Sequence, residues 1–381
     1  MSLQPDGKEL QELLRQDDLD RGYRLVDSEL KQYKKTRDIE EAKTMSWVQD
    51  FTISEAEMDA ISDPVWAFPN LVVQGHLIAI VAPPNGGKTT ICEYVAAQLA
   101  TSYDVFYVNA DIAASDSKRS YQKSKSEGWT LLLPDMVAGK GMSNVVERLD
   151  WLNSIDTRYD GQVWIFDTLK KMTNIINKSE AKKLFQCLRG LSTKGMTIIL
   201  LAHTNKRAES DGRQMYEGTG DLRADIDELI YLHPLKNSDD SMTVSTEPDK
   251  VRAVFDPITF EITRDRVVTV KDEFVDAKAE AKYKQLLNTD QEVISSFFHE
   301  LKGGSKSQKE LTDAASENGG HHRKAVIKVL NRYDGDLWLS CKGGENNKKI
   351  YSLPPVNGSF IPRRQVTTDI TDTTGLTGTS Q

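Results

Sequence analysis

Cysteine is scarce in this chain, 3 in 381 residues. Cys92, Cys187 and Cys341 lie far apart and show no metal-ligand spacing, which excludes a disulfide-stapled scaffold and a cysteine zinc site. Thiols used this way suit a reduced, cytoplasmic setting. Long apolar runs are also missing. The longest, residues 77–82, stops at Pro83, far short of the ~20 residues of a membrane span, so no membrane partner is expected. No N-terminal basic stretch leads into an apolar core, and no secretory signal is expected. A positive excess is absent as well: 49 Lys+Arg against 57 Asp+Glu leave −8. That excludes a protein coating nucleic acid through bulk charge, while leaving room for a local basic site. What remains, 38% apolar and 28% charged residues, is the composition of a soluble globular protein. Its length suggests two or three domains at roughly 150 residues each.

Charge is unevenly placed. Residues 1–60 carry 9 basic and 15 acidic residues (9 − 15 = −6), whereas 302–349 carry 10 and 6 (10 − 6 = +4). Residues 1–60 are rich in helix formers, with leucines at helical spacing. They read as an acidic helical arm for a protein partner, or as a mobile charged tail. Residues 61–271 change character: short apolar runs at 77–81, 105–108, 163–166, 197–201 and 229–232 alternate with amphipathic stretches, then 242–245, 251–255 and 259–262 follow closely. Continuous apolar strands separated by helices predict an α/β fold with a mainly parallel sheet covered on both faces, finished by hairpins. Residues 272–288 read as a helical linker, 289–355 as a small separate unit, and 356–381, rich in Thr, Gly and Ser, as a disordered tail.

The strongest motif follows the first apolar run. Residues 82–89, APPNGGKT, fit the phosphate-loop spacing GxxxxGK[ST], with Ala82 in place of the first glycine. Pro84, Asn85, Gly86, Gly87, Lys88, Thr89 and Thr90 are therefore the nucleotide-binding candidates. The glycines turn backbone amides inward and the helix start adds partial positive charge. Lys88 is placed to reach the β- and γ-phosphates and Thr89 to hold Mg²⁺. The run QVWIFD ends in Asp167, a carboxylate for the metal at the C-terminal edge of the sheet. The neighbouring run VFYV leads to Asp111, the candidate for activating water. A helix-capping aspartate is the plainer alternative there.

Four segments, 82–90 APPNGGKTT, 107–111 YVNAD, 164–172 WIFDTLKKM and 199–206 ILLAHTNK, together resemble the RecA-like hexameric replicative helicases and the related plasmid- and phage-type AAA (P-loop) ATPases. The resemblance covers residues 65–270. It implies a RecA-like core, ATP and Mg²⁺ as ligands, and a homo-oligomeric ring, a hexamer, with nucleotide at subunit boundaries. It implies that Lys250 and Arg252, from a Lys-x-Arg, serve the adjacent subunit's nucleotide, with Arg223 as competing finger, and that His203 senses the γ-phosphate. It also implies two channel loops following single-stranded DNA, one with Lys170 and Lys171, the other with Lys206, Arg207 and Arg213. The family commonly has Glu where this chain has Asp111, and residues 1–60 do not supply its primase-interacting domain.

Residues 289–355 are similar in order and size to a winged helix-turn-helix: three helices, then a hairpin. Arg323, Lys324 and Lys328 on the third helix would meet duplex DNA, with Lys342, Lys348 and Lys349 on the wing. Binding a protein, or packing as a lid on the ATPase, are the alternatives. The resulting expectation is an ATP-hydrolysing ring motor on DNA, a replicative-type helicase. The alternatives are a recombination mediator or loader on single strands, and an ATP-sensing DNA-binding regulator.

Overall fold

The computed structural model describes residues 7–59, 63–173, 177–205, 221–343 and 348–355. The chain divides into two compact units, Met1–Val65 and Trp66–Gln381. The first holds helix α1 (Gly7–Thr44), a 3-10 turn (Ser46–Phe51) and helix α2 (Glu55–Asp59). None of its described side chains is buried. Pairs at i,i+4 such as Lys31–Asp27 and Arg37–Glu41 support α1.

The second unit opens with β1 (Trp66–Phe68) and β2 (Val72–Val73), a small antiparallel pair. There follow β3 (Leu77–Ala82), α3 (Lys88–Leu99), β4 (Asp104–Asn109), α4 (Ala114–Glu127), β5 (Thr130–Leu132), α5 (Met142–Ser154), β6 (Gln162–Asp167), α6 (Leu169–Met172), α7 (Lys178–Thr193) and β7 (Thr197–His203). Then come α8 (Asp221–Asp225), β8 (Glu228–Lys236), β9 (Met242–Lys250), β10 (Thr259–Ile262) and β11 (Val268–Val270). These strands form one nine-stranded sheet in the order β11-β10-β9-β8-β3-β7-β6-β4-β5. From β8 to β5 all pairings are parallel; β9, β10 and β11 extend the sheet antiparallel.

The run 77–82 is apolar throughout because both faces of β3 are covered. Leu77, Ala79 and Val81 pack toward α5, α6 and α7 in one cluster; Ile78, Ile80 and Ala82 pack toward α3 and β1–β2 in another. The α/β fold with a mainly parallel, doubly covered sheet is therefore as expected. One expected strand is absent. Residues 251–255 are irregular, with Val254 87% exposed, and β11 completes the sheet instead. The reason lies upstream: β9 absorbs the polar stretch Glu247-Pro248-Asp249 through a register shift opposite Leu229/Ile230. A bulge of this kind tolerates the missing amide of Pro248 and lets the strand run on to Lys250.

Beyond the sheet, α9 (Ala277–Thr289) and α10 (Gln291–Lys302) lead to β12 (Lys306–Ser307), α11 (Gln308–Gly319), α12 (Arg323–Arg332), β13 (Leu339–Gly343) and β14 (Lys348–Ser352). Ser307 caps α11 in a reciprocal box with Glu310. Strands β12-β14-β13 make a three-stranded antiparallel sheet. Phe297, Tyr333, Trp338 and Tyr351, all fully buried, form its separate core. The Trp338 indole N–H donates to Leu330 O at 2.8 Å. The three helices and the β13–β14 hairpin thus occupy the order read from the sequence.

Candidate nucleotide site

The chain leaves β3 at Ala82, turns through residues 83–87 and enters α3 at Lys88. Asn85 and Gly87 adopt left-handed φ values of 60° and 80°, and Gly86 N–H donates to Pro83 O at 3.0 Å. Such alternation turns amides into an anion-binding concavity at a helix start. Gly87 is needed for a second reason. A Cβ there would lie 2.5 Å from Ile262 Cδ1, which packs against the loop from β10.

Asp167, 4% exposed, is the hub of the site. Lys88 Nζ donates to its Oδ1 at 3.1 Å, while Thr89 Oγ1 and Tyr107 OH donate to Oδ2 at 2.7 and 3.0 Å. Parallel pairing makes this meeting possible: β4 and β6 align Asn109 with Asp167, and β3 and β7 align Ala82 with His203. Strand ends therefore fall on one edge, where open α/β sheets bind ligands. Thr90 follows on the first turn of α3. The Asp167–Thr168 peptide is cis, and Thr168 Oγ1 donates to Leu201 O at 2.8 Å.

Burial pushes the Tyr107 phenol well above its usual range, and the adjacent Asp167 charge adds to this. Tyr107 is thus a fixed, neutral donor to the carboxylate. Burial likewise raises the Cys92 thiol, on α3, so this cysteine is an inert core residue. Thr89 and Asp167 present hydroxyl and carboxylate oxygens 2.7 Å apart. That hard-oxygen donor set fits Mg²⁺.

Asp111 lies just past β4 and is solvent-accessible. Its amide N–H bonds to the buried Asn109 Oδ1 at 3.0 Å, which fixes the backbone there. Its carboxylate faces Lys171 Nζ across 3.8 Å. Lys171, expected in a channel loop, therefore meets the expected water-activating group; Lys170 is exposed beside it. Lys206 and Arg207 lie outside the described residues, as does Arg213.

The other expected cations sit at the opposite end of the sheet. Leu77 N–H, at the start of β3, donates to Asp227 Oδ2 at 2.9 Å. Arg252 Nε lies 2.9 Å from Asp227 Oδ1. Five residue steps along β3, from Leu77 to Ala82, separate this end from the phosphate loop, roughly 17 Å at about 3.3 Å per residue. Lys250 Nζ donates to Arg223 O, Ala224 O and Ile226 O at 2.7, 3.2 and 2.6 Å. Arg223 pairs with Asp249 at 3.1 Å. His76, Asp227 and Glu228 come within 4.8 Å of one another here. Because Asp227 is already balanced by Arg189 and Arg252, this group reads as an ion-pair network rather than a cation site.

In the C-terminal unit Arg323 pairs with Asp313 at 3.1 Å and Lys349 with Asp334 at 2.9 Å. Lys324 and Lys328 are exposed on α12. Sequence reasoning missed Tyr107, Arg189 and Asp227. Tyr107 stands in the YVNAD segment two residues before Asn109, so strand alternation puts it on the same face; Arg189 carries no comparable signal.

A family model described as an AAA domain matches residues 42–209. It spans the phosphate loop, Asp111 and Asp167. The match supports a P-loop ATPase. No curated protein matches the chain. Among solved structures, the flagellar accessory protein FlaH from Methanocaldococcus jannaschii is similar at 18% identity, over 53% of this chain and 92% of that chain, with a TM-score of 0.39. Among the described residues no helix is long and apolar enough to cross a membrane.

Proposed function

We propose that this chain is an ATP-hydrolysing motor that assembles as a homo-oligomeric ring, a hexamer, and acts on DNA as a replicative-type helicase. The observation that carries the ring is the placement of Arg252 at the start of β3 and β8, while the phosphate loop occupies the far end of β3. Such a cation serves no nucleotide of its own subunit. It suits the nucleotide of a neighbour, where it would offset charge developing on the γ-phosphate and tie turnover to assembly.

Within one subunit the roles follow from the contacts. The backbone N–H groups of Asn85, Gly87 and Lys88, with the Lys88 ammonium, hold the phosphates. Thr89 and Asp167 would hold Mg²⁺, which would supply neutralising charge to the phosphate oxygens. Tyr107 fixes the Asp167 carboxylate. Asp111 orients the attacking water and accepts its proton, with Lys171 as the charge that answers it. His203, beside Ala82 across the β3–β7 pairing, reports the state of the phosphate loop to residues 204–220.

DNA engagement rests on Lys170 and Lys171 with Lys206 and Arg207 for a single strand, and on Lys324 and Lys328 with Arg323 for duplex. The C-terminal unit is read as a winged helix on its order of three helices and a hairpin. Residues 1–60, wholly exposed where described, are read as an arm for a protein partner. A recombination mediator on single strands and an ATP-sensing regulator are the competing readings. A forked-duplex assay decides among them. ATP-dependent strand displacement by the full chain is expected; ATP-dependent binding without displacement would favour the mediator, and duplex binding indifferent to hydrolysis the regulator.

A further inference from the structure

Besides Arg189, which is fixed on Asp227 and Asp225, three cations crowd the far end of the sheet, and the contacts sort them. Lys250 Nζ has three protons and three carbonyl acceptors, at Arg223, Ala224 and Ile226. It closes the C-terminal end of α8 and has no donor left over. Arg223 is engaged through both Nε and Nη2 with Asp249. Arg252 differs. Its contact with Asp227 runs through Nε, its side chain is 59% exposed, and among the described residues no hydrogen bond engages its terminal nitrogens.

Asp227 is built to make that contact. It is 2% exposed, and its Oδ2 accepts the Leu77 amide at 2.9 Å and Arg189 Nη1 at 2.6 Å. Arg189 is itself fixed from α7 by a second bond to Asp225 O, at 2.5 Å. Only Oδ1 then faces Arg252. A guanidinium approached at Nε keeps its paired terminal nitrogens for a bidentate hold on phosphate oxygens.

We infer that Asp227, anchored by Arg189 and the Leu77 amide, is the positioning residue for Arg252, and that Arg252 alone of the three cations contacts the γ-phosphate of the adjacent subunit's nucleotide. This rests on the ring-ATPase reading above. Lys250 and Arg223 then shape the α8–β9 junction and do not touch nucleotide.

The test uses the full chain and the near-isosteric Asp227→Asn, which retains an acceptor for Leu77 N–H. ATP turnover should fall roughly tenfold to a hundredfold in kcat, with KM unchanged because nucleotide binding lies in the other subunit's loop. Arg252→Lys keeps the charge but has no Nε, and should lose kcat equally. The deciding arm is subunit mixing. Lys88→Ala subunits, inactive themselves, carry an intact Asp227–Arg252 pair, so mixing them with Asp227→Asn subunits should raise turnover above the residual activity of Asp227→Asn alone. Absence of rescue in mixed rings would mean that Asp227 serves only its own subunit's fold. Full activity of Asp227→Asn or of Arg252→Lys would also overturn the inference. A wild type without ATP turnover would instead sink the ATPase reading itself.

Discussion

Tyr107, wholly buried on β4, donates its phenolic hydrogen to Asp167 Oδ2 across 3.0 Å. The same oxygen receives Thr89 at 2.7 Å, so the tyrosine sets the orientation in which the carboxylate meets the phosphate loop. Tyr107→Phe removes the bond and keeps the ring. Turnover at limiting Mg²⁺ should fall roughly tenfold, the scale of lost outer-shell support at metal sites, and recover as Mg²⁺ is raised. The check is a Mg²⁺ titration of ATP hydrolysis; an unchanged half-saturating concentration would show that Asp167 needs no such support.

Gly87 combines φ +80° with Ile262 Cδ1 at 2.5 Å from any added Cβ. Gly87→Ala therefore pays a left-handed penalty of about 1–2 kcal/mol and forces the β10 side chain aside. Nucleotide affinity should drop while the rest of the sheet survives. Fluorescent-nucleotide titration beside a thermal melt separates these effects, and Gly87→Ala combined with Ile262→Val should recover part of the loss.

Asp227 gives a pH prediction. Burial acts to raise its carboxyl, but the Arg189 and Leu77 hydrogen bonds and the Arg189 and Arg252 charges outweigh it, and the net shift is downward from 3.8. A depressed carboxylate contributes stability that is complete above its unfolded value and fades as pH falls through the folded one. The contribution should hold down to about pH 4 and weaken below it. Melts of the wild type and Asp227→Asn should lie furthest apart near neutrality and converge under acid; a constant gap would count against the assignment.

Lys324 and Lys328 stand exposed on α12, one turn apart. If both meet phosphates of a duplex, replacing them with alanine should weaken binding evenly across sequences. The slope of log affinity against log salt should shrink by about 1.8, from ~0.9 per contact. Fluorescence anisotropy at several salt concentrations measures this, and an unaltered slope would move the unit toward a protein partner.

Much of this was legible in the sequence, for identifiable reasons. Strands buried on both faces announce themselves as apolar runs, which is why β3, β4, β6, β7 and β8 stood out. The phosphate loop is legible because its chemistry depends on contiguous residues, 82–90. Asp167 was found because an acid ends an apolar run. Contacts set by register and packing were not legible. Tyr107 reaches Asp167 only because β4 lies beside β6. Arg189 reaches Asp227 from α7, 38 residues away. The apolar runs 242–245 and 251–255 read as two strands, whereas β9 runs on to Lys250 through a bulge at Asp249, a register shift visible only in the pairing with β8.

The most direct measurement is ATP hydrolysis by the full chain and by Lys88→Ala, each with and without single-stranded DNA. The account predicts hydrolysis by the wild type that rises roughly tenfold with DNA, a gain of about 1.4 kcal/mol in barrier lowering, and is lost in the variant. Slow hydrolysis equal with and without DNA would contradict a motor on single strands.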